Sequence, residues 1–401
     1  MQNQITPPRK SKPLTMLFEM SSAALGAFLL TLVLTYSMIC AISEWSVTET
    51  ARTCFRFPDE PSLPSRDDAV QIMLSAAFFG SDALYFDGGE ENTGMTEPYS
   101  PPASGTDSGT PEPPIGEPST TLDTAIYDFD RSGVPEGQTA IVPFDLTYGA
   151  KAGEILFSNT TAYEITAEDA LGTTYPIGTD LDEYSANDPL VLIIHTHGTE
   201  SYSPHGALYT SPSALMRSSD TSENMIAVGA VMAELLNDAG IPTLHCETMH
   251  DISSYTRSYD LAADTVQKYL QEYPSIKYVF DVHRDAIVRT NGDLIRPVTV
   301  INGEVSAQVM LLVGTDEMGA DHAEWRDNLA VAVQLQKRLT ENYTRFARPI
   351  NVRGASFNEQ FTKGALLIEI GSAANSLREA KTAAKYLTYS IIDMIQDFEV
   401  K

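Results

Sequence analysis

The chain has 401 residues, with 26 Lys and Arg against 54 Asp and Glu, and its formal net charge is −28 at pH 7. This excess of acidic groups repels a phosphate backbone, so nucleic acid is excluded as an expected partner. With only three cysteines in the chain, a disulfide scaffold is excluded as well, and any exported part must be stabilised by its own core.

An uncharged apolar segment, residues 21–42, lies near the N-terminus. As a helix that rises about 1.5 Å per residue, it can cross a hydrocarbon layer about 30 Å thick. Arg9, Lys10 and Lys12 precede it, so the positive-inside rule places residues 1–20 in the cytoplasm and the rest of the chain outside. A cleaved secretory signal is the alternative, but its apolar region would be only about 7 to 15 residues long. We therefore predict a single-pass signal anchor in the cell membrane.

Two segments separate this span from the rest of the chain. Residues 43–87 contain one plausible amphipathic helix and no histidine, and we interpret them as a juxtamembrane segment. Residues 88–121 are rich in Pro, Gly, Ser, Thr and acidic residues and nearly free of aliphatic ones. Such a composition cannot bury enough surface to fold, so we predict a disordered acidic linker. Residues 122–401 are predicted to form one domain, which begins with a small β-rich region.

Apolar strands and amphipathic helices alternate through this domain. The spacing predicts strands over 190–195, 241–246, 277–283 and 365–370, and helices over 223–240, 257–274, 324–346 and 376–398. Two further β-rich runs are joined by Asn302-Gly303, a strong hairpin signal that predicts an antiparallel addition at the edge. The fold expected from this alternation is α/β, with a mostly parallel sheet flanked by helices.

Three of the apolar strands end in or contain ionisable residues. The stretch VLIIHTH places His195 and His197 two residues apart, so in extended geometry both imidazoles leave one face. YVFDVH carries Asp281 and His283, and ALLIEI contains Glu369. Because sites of such sheets lie at the carboxyl ends of strands, we expect these groups around one cleft.

Zinc is the ion that these residue types suggest. It binds imidazole nitrogens and carboxylate oxygens, and in hydrolytic sites it keeps one position open for water. Local sequence leaves open which of His195 and His197 is a ligand with His283, and a structural imidazole held by hydrogen bonds is the alternative for each. Glu200 is our first choice for a carboxylate ligand, with Glu223 in reserve, although Glu223 also suits a first-turn acid of the next helix.

Glu369 is the acid that local sequence distinguishes most clearly, because its neighbours are all apolar. Desolvation there would raise the pKa of its carboxyl group and suit it to take a proton from a metal-activated water. The alternative is that Glu369 pairs with a buried arginine. Asp281 and Asp285 are expected either to orient His283 as acceptors or to bind Arg284.

These motifs resemble those of the stage II sporulation protein P family, cell-wall hydrolases of endospore-forming bacteria. The matching stretches are SNTTAYEI, HTHGTESY, DVHRDA and LLIEIGSAANSLREA. The resemblance covers about residue 155 to the C-terminus, and the membrane anchor and acidic linker are also as the family leads us to expect.

The last stretch also resembles the end of zinc-dependent N-acetylmuramoyl-L-alanine amidases. There a catalytic Glu in a strand is followed by an Asn that opens the final helix, and Glu369 and Asn375 take those places. The resemblance implies an amidase-like fold in which His197 or His195 is the first zinc ligand, His283 is the last and Glu369 is the general base. Asn375 is then expected beside the site or the substrate.

The function implied by the resemblance is that of a membrane-anchored, extracytoplasmic zinc amidase. It would cleave the bond between N-acetylmuramic acid and L-alanine in peptidoglycan, acting in septal wall degradation and engulfment during sporulation. The implied partners are the stage II sporulation proteins D and M. Two alternatives remain: an endopeptidase that cuts peptidoglycan cross-links, and a non-catalytic wall-binding scaffold with the same fold.

Overall fold

The computed structural model describes residues 124–178, 180–212 and 216–398. The predicted cytoplasmic N-terminus, membrane span, juxtamembrane segment and acidic linker lie outside the described residues, so these four predictions stay as they are. Within the described ranges, no helix combines the length and the apolar character needed to cross a membrane.

The strands of the described residues form two sheets. They are β1 (Thr139–Phe144), β2 (Phe157–Asn159), β3 (Val191–Ile194), β4 (Tyr209–Thr210), β5 (Thr243–His245), β6 (Tyr278–Asp285), β7 (Leu294–Ile301), β8 (Glu304–Ala307), β9 (Val309–Gly314), β10 (Ile350–Arg353) and β11 (Gly364–Ser372). The predicted small β-rich region is present, but it is divided, because β1 joins one sheet and β2 the other.

The helices pack mainly against the larger sheet. They are α1 (Ala167–Gly172), α2 (Met225–Asp238), α3 (Ser258–Glu272), α4 (Trp325–Asn342) and α5 (Leu377–Asp397). The four helices predicted from residue 223 onward are confirmed, with ends shifted by a few residues.

The main sheet has the strand order β2-β10-β9-β11-β6-β3-β5. Strands β11, β6, β3 and β5 run in one direction, whereas β9, β10 and β2 run in the other, since β9 pairs with β11 antiparallel. The prediction of a mostly parallel sheet is therefore wrong, and the sheet is mixed. Two parallel neighbours need a crossover connection, usually a helix, that carries the chain back to the end of the sheet where the previous strand began. Between β6 and β9 the chain forms only β7 and β8 and no such helix.

The smaller sheet has the order β4-β1-β7-β8. Its β7–β8 hairpin turns at Asn302 and Gly303, whose φ angles are 51° and 80°. Positive φ at both central residues is the geometry of a type I′ turn, so the predicted hairpin is confirmed. It belongs to the smaller sheet and is not added to an edge of the main sheet.

The two faces of the main sheet carry different side chains. On β6, Phe280 and Val282 point into the large core that α2, α4 and α5 complete. Val279 points to the other side and packs with α3. Since side chains alternate along a strand, Asp281 and His283 share the side of Val279. We call this side, which carries Val279, Asp281 and His283, the site face.

Helix α5 is joined to the smaller sheet through Glu379. Ser376 and Glu379 form a capping box at the start of the helix. The same carboxylate accepts hydrogen bonds from Arg296 Nε at 3.1 Å and Nη2 at 2.9 Å, and Arg296 belongs to β7. One buried carboxylate therefore both caps the last helix and fixes a strand of the second sheet.

Glu379→Ala is expected to lower the free energy of unfolding by about 3 kcal/mol, because it leaves the half-buried Arg296 without its partner and removes the cap. Urea unfolding of the full chain in detergent measures this change. Glu234→Ala, at an exposed position of α2, is the matched control and should change the value by less than about 0.5 kcal/mol. Equal losses in the two variants would contradict the linking role of Glu379.

Candidate active site

Four of the predicted residues come together on the site face, and we call them the site cluster: His197, Glu200, His283 and Glu369. His283 and Glu369 are directly paired positions of β6 and β11. The ring centroids of His197 and His283 are 5.3 Å apart, and His283 Nδ1 lies 3.7 Å from Glu200 Oε2. The structure thus brings two imidazoles and two carboxyl groups to one place.

Glu200 is folded back toward His197 by a turn after β3. Its backbone N–H donates to His197 O at 3.0 Å, and its Oε2 accepts from the backbone N–H of Arg284 at 3.3 Å. Burial alone would raise the pKa of Glu200, but the Arg284 guanidinium, 3.6 Å away, and the nearby imidazoles outweigh burial and lower it. Glu200 is therefore ionised at neutral pH, and Arg284 binds it instead of binding Asp281 or Asp285.

His283 is held by Asp281. His283 Nε2 lies 2.9 Å from Asp281 Oδ1, and the two side chains form a close ion pair. Asp281 also accepts from Thr196 N at 2.8 Å and Thr196 Oγ1 at 2.6 Å. Burial alone would lower the pKa of His283, but Asp281, with Glu200 and Glu369, outweighs it and raises that pKa to about 9.

Glu369 lacks a compensating partner. Its Oε2 atom is buried and has no hydrogen-bond partner. Burial and the negative charges of Asp285 and Glu200 raise the pKa of Glu369 to about 8, against the opposing effect of His283 and Arg348. A buried arginine was the alternative partner expected for Glu369, but the buried arginine found here, Arg348, donates from Nη2 to Asp285 at 2.8 Å. Asp285 therefore pairs with Arg348. It neither orients His283 nor binds Arg284.

His195 does not join the site cluster. Its Nδ1 lies 2.9 Å from Val282 O and its Nε2 lies 2.9 Å from His245 Nε2. A Cβ on Gly229 of α2 would come within 2.5 Å of His195 Nε2, so only glycine leaves room for these two rings. The prediction that His195 and His197 share a face is wrong, because β3 ends before His195 and the strand period no longer applies. Both ring nitrogens of His195 are engaged in polar contacts within the protein. His195 is thus a structural imidazole, which was the alternative to a metal ligand.

Two other predicted residues lie away from the cluster. Glu223 is exposed, and it accepts a long hydrogen bond from Ser218 Oγ at 3.5 Å. Asn375 is buried beside the start of α5, where it donates to Pro297 O at 3.0 Å and to Glu379 Oε2 at 2.9 Å. The hydrogen bonds of the Asn375 side chain thus go to the end of β11, to β7 and to Glu379, and none goes to a residue of the site cluster.

An aromatic wall that was not predicted from the sequence lies next to His197. Tyr255 stacks on the His197 ring at 4.6 Å and 17°, and Tyr259 meets it edge-on at 5.6 Å. Arg217 covers the Tyr255 ring from a distance of 4.7 Å and donates to Asp251 Oδ2 at 2.6 Å. The spacing of four residues between the two tyrosines, at the start of a predicted helix, is the signal that could have identified them.

The residues of the site cluster fit zinc in kind. His197 Nδ1 is buried and has no hydrogen-bond partner, and burial, opposed by Glu200, lowers the pKa of His197 to about 4 and keeps the ring neutral as a ligand requires. The pKa of His283 is about 9, so this ring has to release a proton when it binds an ion. Glu200 supplies an ionised carboxylate beside it. As they are placed, no group of three His, Cys, Asp or Glu side chains in the described ranges could hold an ion. Zinc is therefore a proposal supported by donor chemistry.

A family model described as stage II sporulation protein P matches residues 150–392. The chain belongs to this family. Stage II sporulation protein P of Bacillus subtilis (strain 168) is 29% identical over 223 residues, which are 52% of this chain and 52% of that protein. The chain thus matches about half the length of this curated relative. The resemblance inferred from the four sequence stretches is confirmed.

Two solved structures of cell-wall amidases are similar to about half of the chain. N-acetylmuramoyl-L-alanine amidase AmiC2 of Nostoc punctiforme is 13% identical with a TM-score of 0.32, over 53% of this chain and 98% of that one. The CwlD amidase of Clostridioides difficile, solved in complex with the GerS lipoprotein, is 12% identical with a TM-score of 0.30, over 52% and 98%. Likeness at this level carries no argument about the chemistry of the chain.

The His195–His245 pair is expected to make the fold acid-sensitive. Burial, together with the neighbouring His195, lowers the pKa of His245 from 6.5 to about 3. Between these values the unfolded chain binds a proton that the folded chain does not, so stability is lost as pH falls from about 6.5 toward 3. In His245→Gln the plot of unfolding free energy against pH should be shallower, by up to about 1.4 kcal/mol per pH unit.

Urea unfolding of the full chain in detergent at a series of pH values measures this slope. His205→Gln changes an exposed histidine and should leave the slope as in the unchanged chain. A slope that is the same with and without His245 would show that this imidazole does not titrate on unfolding.

Proposed function

We propose that the chain is a peptidoglycan hydrolase of sporulation, which cleaves the amide between N-acetylmuramic acid and L-alanine with the help of zinc. The observation that carries the proposal is the pairing of Glu369, a carboxyl group of raised pKa, with His283 in adjacent strands. His197 and Glu200 stand beside this pair. Membership of the stage II sporulation protein P family supports the substrate class.

His197, Glu200 and His283 are the residues that we assign as zinc ligands. When bound, zinc lowers the pKa of a coordinated water to about 7 and polarises the amide carbonyl. Asp281 contacts Nε2 of His283, so the Nδ1 atom, on the side of Glu200, is the nitrogen left for the ion. An aspartate behind a histidine ligand fixes the orientation of the ring and increases its basicity.

Glu369 is the general base in this proposal. It takes a proton from the water that attacks the amide carbon and then delivers that proton to the departing nitrogen of L-alanine. A carboxyl group whose pKa is about 8 lies close enough to neutrality to serve both transfers. Tyr255 and Tyr259 cover His197 and limit the access of bulk water to the cluster.

The same proposal extends to location and partners. We infer single-pass anchorage in the cell membrane through residues 21–42, with the catalytic domain outside the cytoplasm, from the uncharged segment and the basic residues before it. Family membership supports a role in septal wall degradation and engulfment. The stage II sporulation proteins D and M are the partners that follow from that role.

Glu369→Gln and His283→Ala should separate chemistry from metal binding. Glu369→Gln removes the base and keeps the assigned ligands, so we expect about one zinc per chain and a rate lowered by about 10²- to 10⁴-fold. His283→Ala should lose both zinc and activity. Elemental analysis of the full chain, purified in detergent, and release of soluble fragments from peptidoglycan are the two measurements.

The exposed His205 provides the matched control, and His205→Ala should keep zinc and activity. Full zinc content and wild-type digestion in His283→Ala would rule out the assigned mechanism.

The bond that is cut can be read from the products. Mass spectrometry of digested peptidoglycan should show stem peptides with a free L-alanine amino terminus and glycan strands with unsubstituted N-acetylmuramic acid. Peptides split only at cross-links would identify an endopeptidase. Sedimentation of the chain with peptidoglycan without any new amino terminus would identify a wall-binding scaffold.

A further inference from the structure

The site face continues beyond Glu369 onto strands β9 and β10. Glu369 pairs with Met310 of β9, and Leu312, two residues further along β9, pairs with Asn351 of β10. Paired residues in adjacent strands point to the same side, so Asn351 lies on the site face, and Arg353 follows two residues later on that side.

The intervening residues confirm this alternation. Ile350 and Val352 belong to the large core on the opposite face, together with Leu311 and Val313 of β9. The site face of β10 is therefore polar, whereas its other face is packed with aliphatic side chains.

Two buried polar atoms, one on β10 and one on the segment just before it, have no hydrogen-bond partner. Asn351 is 6% exposed, and its Oδ1 atom is buried without a hydrogen bond. Arg348 is 8% exposed, and while its Nη2 binds Asp285, its Nη1 is buried without a hydrogen bond. Unpaired buried polar atoms are uncommon in native proteins and call for a ligand or an ordered water.

Arg353 adds an unneutralised cation to this group. It is half-buried, and its guanidinium forms no ion pair or side-chain hydrogen bond with any residue of the described ranges. Burial lowers the pKa of Arg353, against the opposing charge of Asp285, which already pairs with Arg348. In a chain with a net charge of −28, a partly desolvated arginine without an acidic partner is suited to bind an anion from outside the chain.

The distance from Glu369 indicates where this anion would sit on a substrate. Asn351 is two strands across and two residues along from Glu369, and Arg353, which pairs with Gly314, is two strands across and four residues along. At about 4.8 Å per strand and about 3.3 Å per residue, their Cα atoms lie about 12 Å and about 16 Å from that of Glu369. With side chains reaching inward from both ends, two or three residues of an extended peptide fill this distance.

We propose that Arg353, together with Arg348 and Asn351, forms a subsite that binds a carboxylate of the stem peptide, two or three residues from the bond that is cut. This inference rests on the proposed function. The guanidinium of Arg353 accepts the charge, and the amide group of Asn351 and the free Nη1 of Arg348 supply hydrogen bonds. The subsite selects acidic stem peptides over amidated ones.

The test compares two synthetic probes that differ in one group. They are N-acetylmuramoyl-L-Ala-D-Glu-L-Lys, in which D-Glu is linked to Lys through its γ-carboxyl group and keeps a free α-carboxylate, and its counterpart with D-isoglutamine as the second residue, both amidated at the C-terminus. Binding is measured by titration calorimetry to the full chain carrying Glu369→Gln, so that the probes are not consumed. The carboxylate probe should bind about tenfold more tightly than the carboxamide probe, as expected for one charged hydrogen-bonded contact.

Arg353→Gln in the same background should reduce this preference to about one. Arg353→Lys keeps the charge without the planar fork and should retain part of it, which covers the case in which Arg353→Gln does not fold. Asn351→Asp should reverse the preference by placing a negative charge in the subsite. Arg378→Gln, at an exposed site on α5, is the matched control and should leave the preference at about tenfold.

Equal affinity for the two probes before any change at Arg353, or an unchanged preference in both Arg353 variants, would overturn the subsite. The binding test of the subsite can succeed or fail independently of the activity test of the proposed function. If the chain without the Glu369 change releases no products but the tenfold preference depends on Arg353, the subsite stands and the hydrolase proposal fails. If products are released but the probes bind equally, the reverse holds.

Discussion

The parallel pairing of β6 with β11 is the constraint on which the rest of the structure depends. It sets His283 directly beside Glu369, and because side chains alternate along both strands, it also decides that Asp281 shares their face. A slip of one residue in either strand would turn that strand's polar side chains into the large aliphatic core. The register is therefore fixed by the same packing that forms the core, and the site follows from it.

Three carboxylates around the site are each paired with a cationic side chain. Arg284 neutralises Glu200, Arg348 neutralises Asp285, and His283 neutralises Asp281. Each of these three carboxylates lies within 3.6 Å of a cationic group. Glu369 is left without one, and its raised pKa is the result. A single unneutralised carboxyl group in such surroundings is the property expected of a proton-transfer residue.

The sequence predicted the elements that periodicity controls and missed what depends on tertiary pairing. The helices after residue 223 and the apolar strands have long hydrophobic patterns. Glu369 is recognisable because it is a charged residue that interrupts one of these patterns. The different orientations of His195 and His197 could not be predicted, because they depend on where β3 stops and on the space above Gly229. The direction of β9 depends on the absence of a crossover helix after β6. Arg348 and Asp285 meet across 63 residues of chain, which no local pattern encodes.

The antiparallel contact between β9 and β11 divides the main sheet into two blocks with opposite strand directions. One block, through β6 and β11, carries the groups assigned to chemistry, whereas β10 in the other carries Asn351 and Arg353. No residue is shared between the two sets. The residues proposed for substrate preference and those proposed for the reaction thus lie in separate stretches of the sequence, so substitutions can alter one set while the other is inherited unchanged.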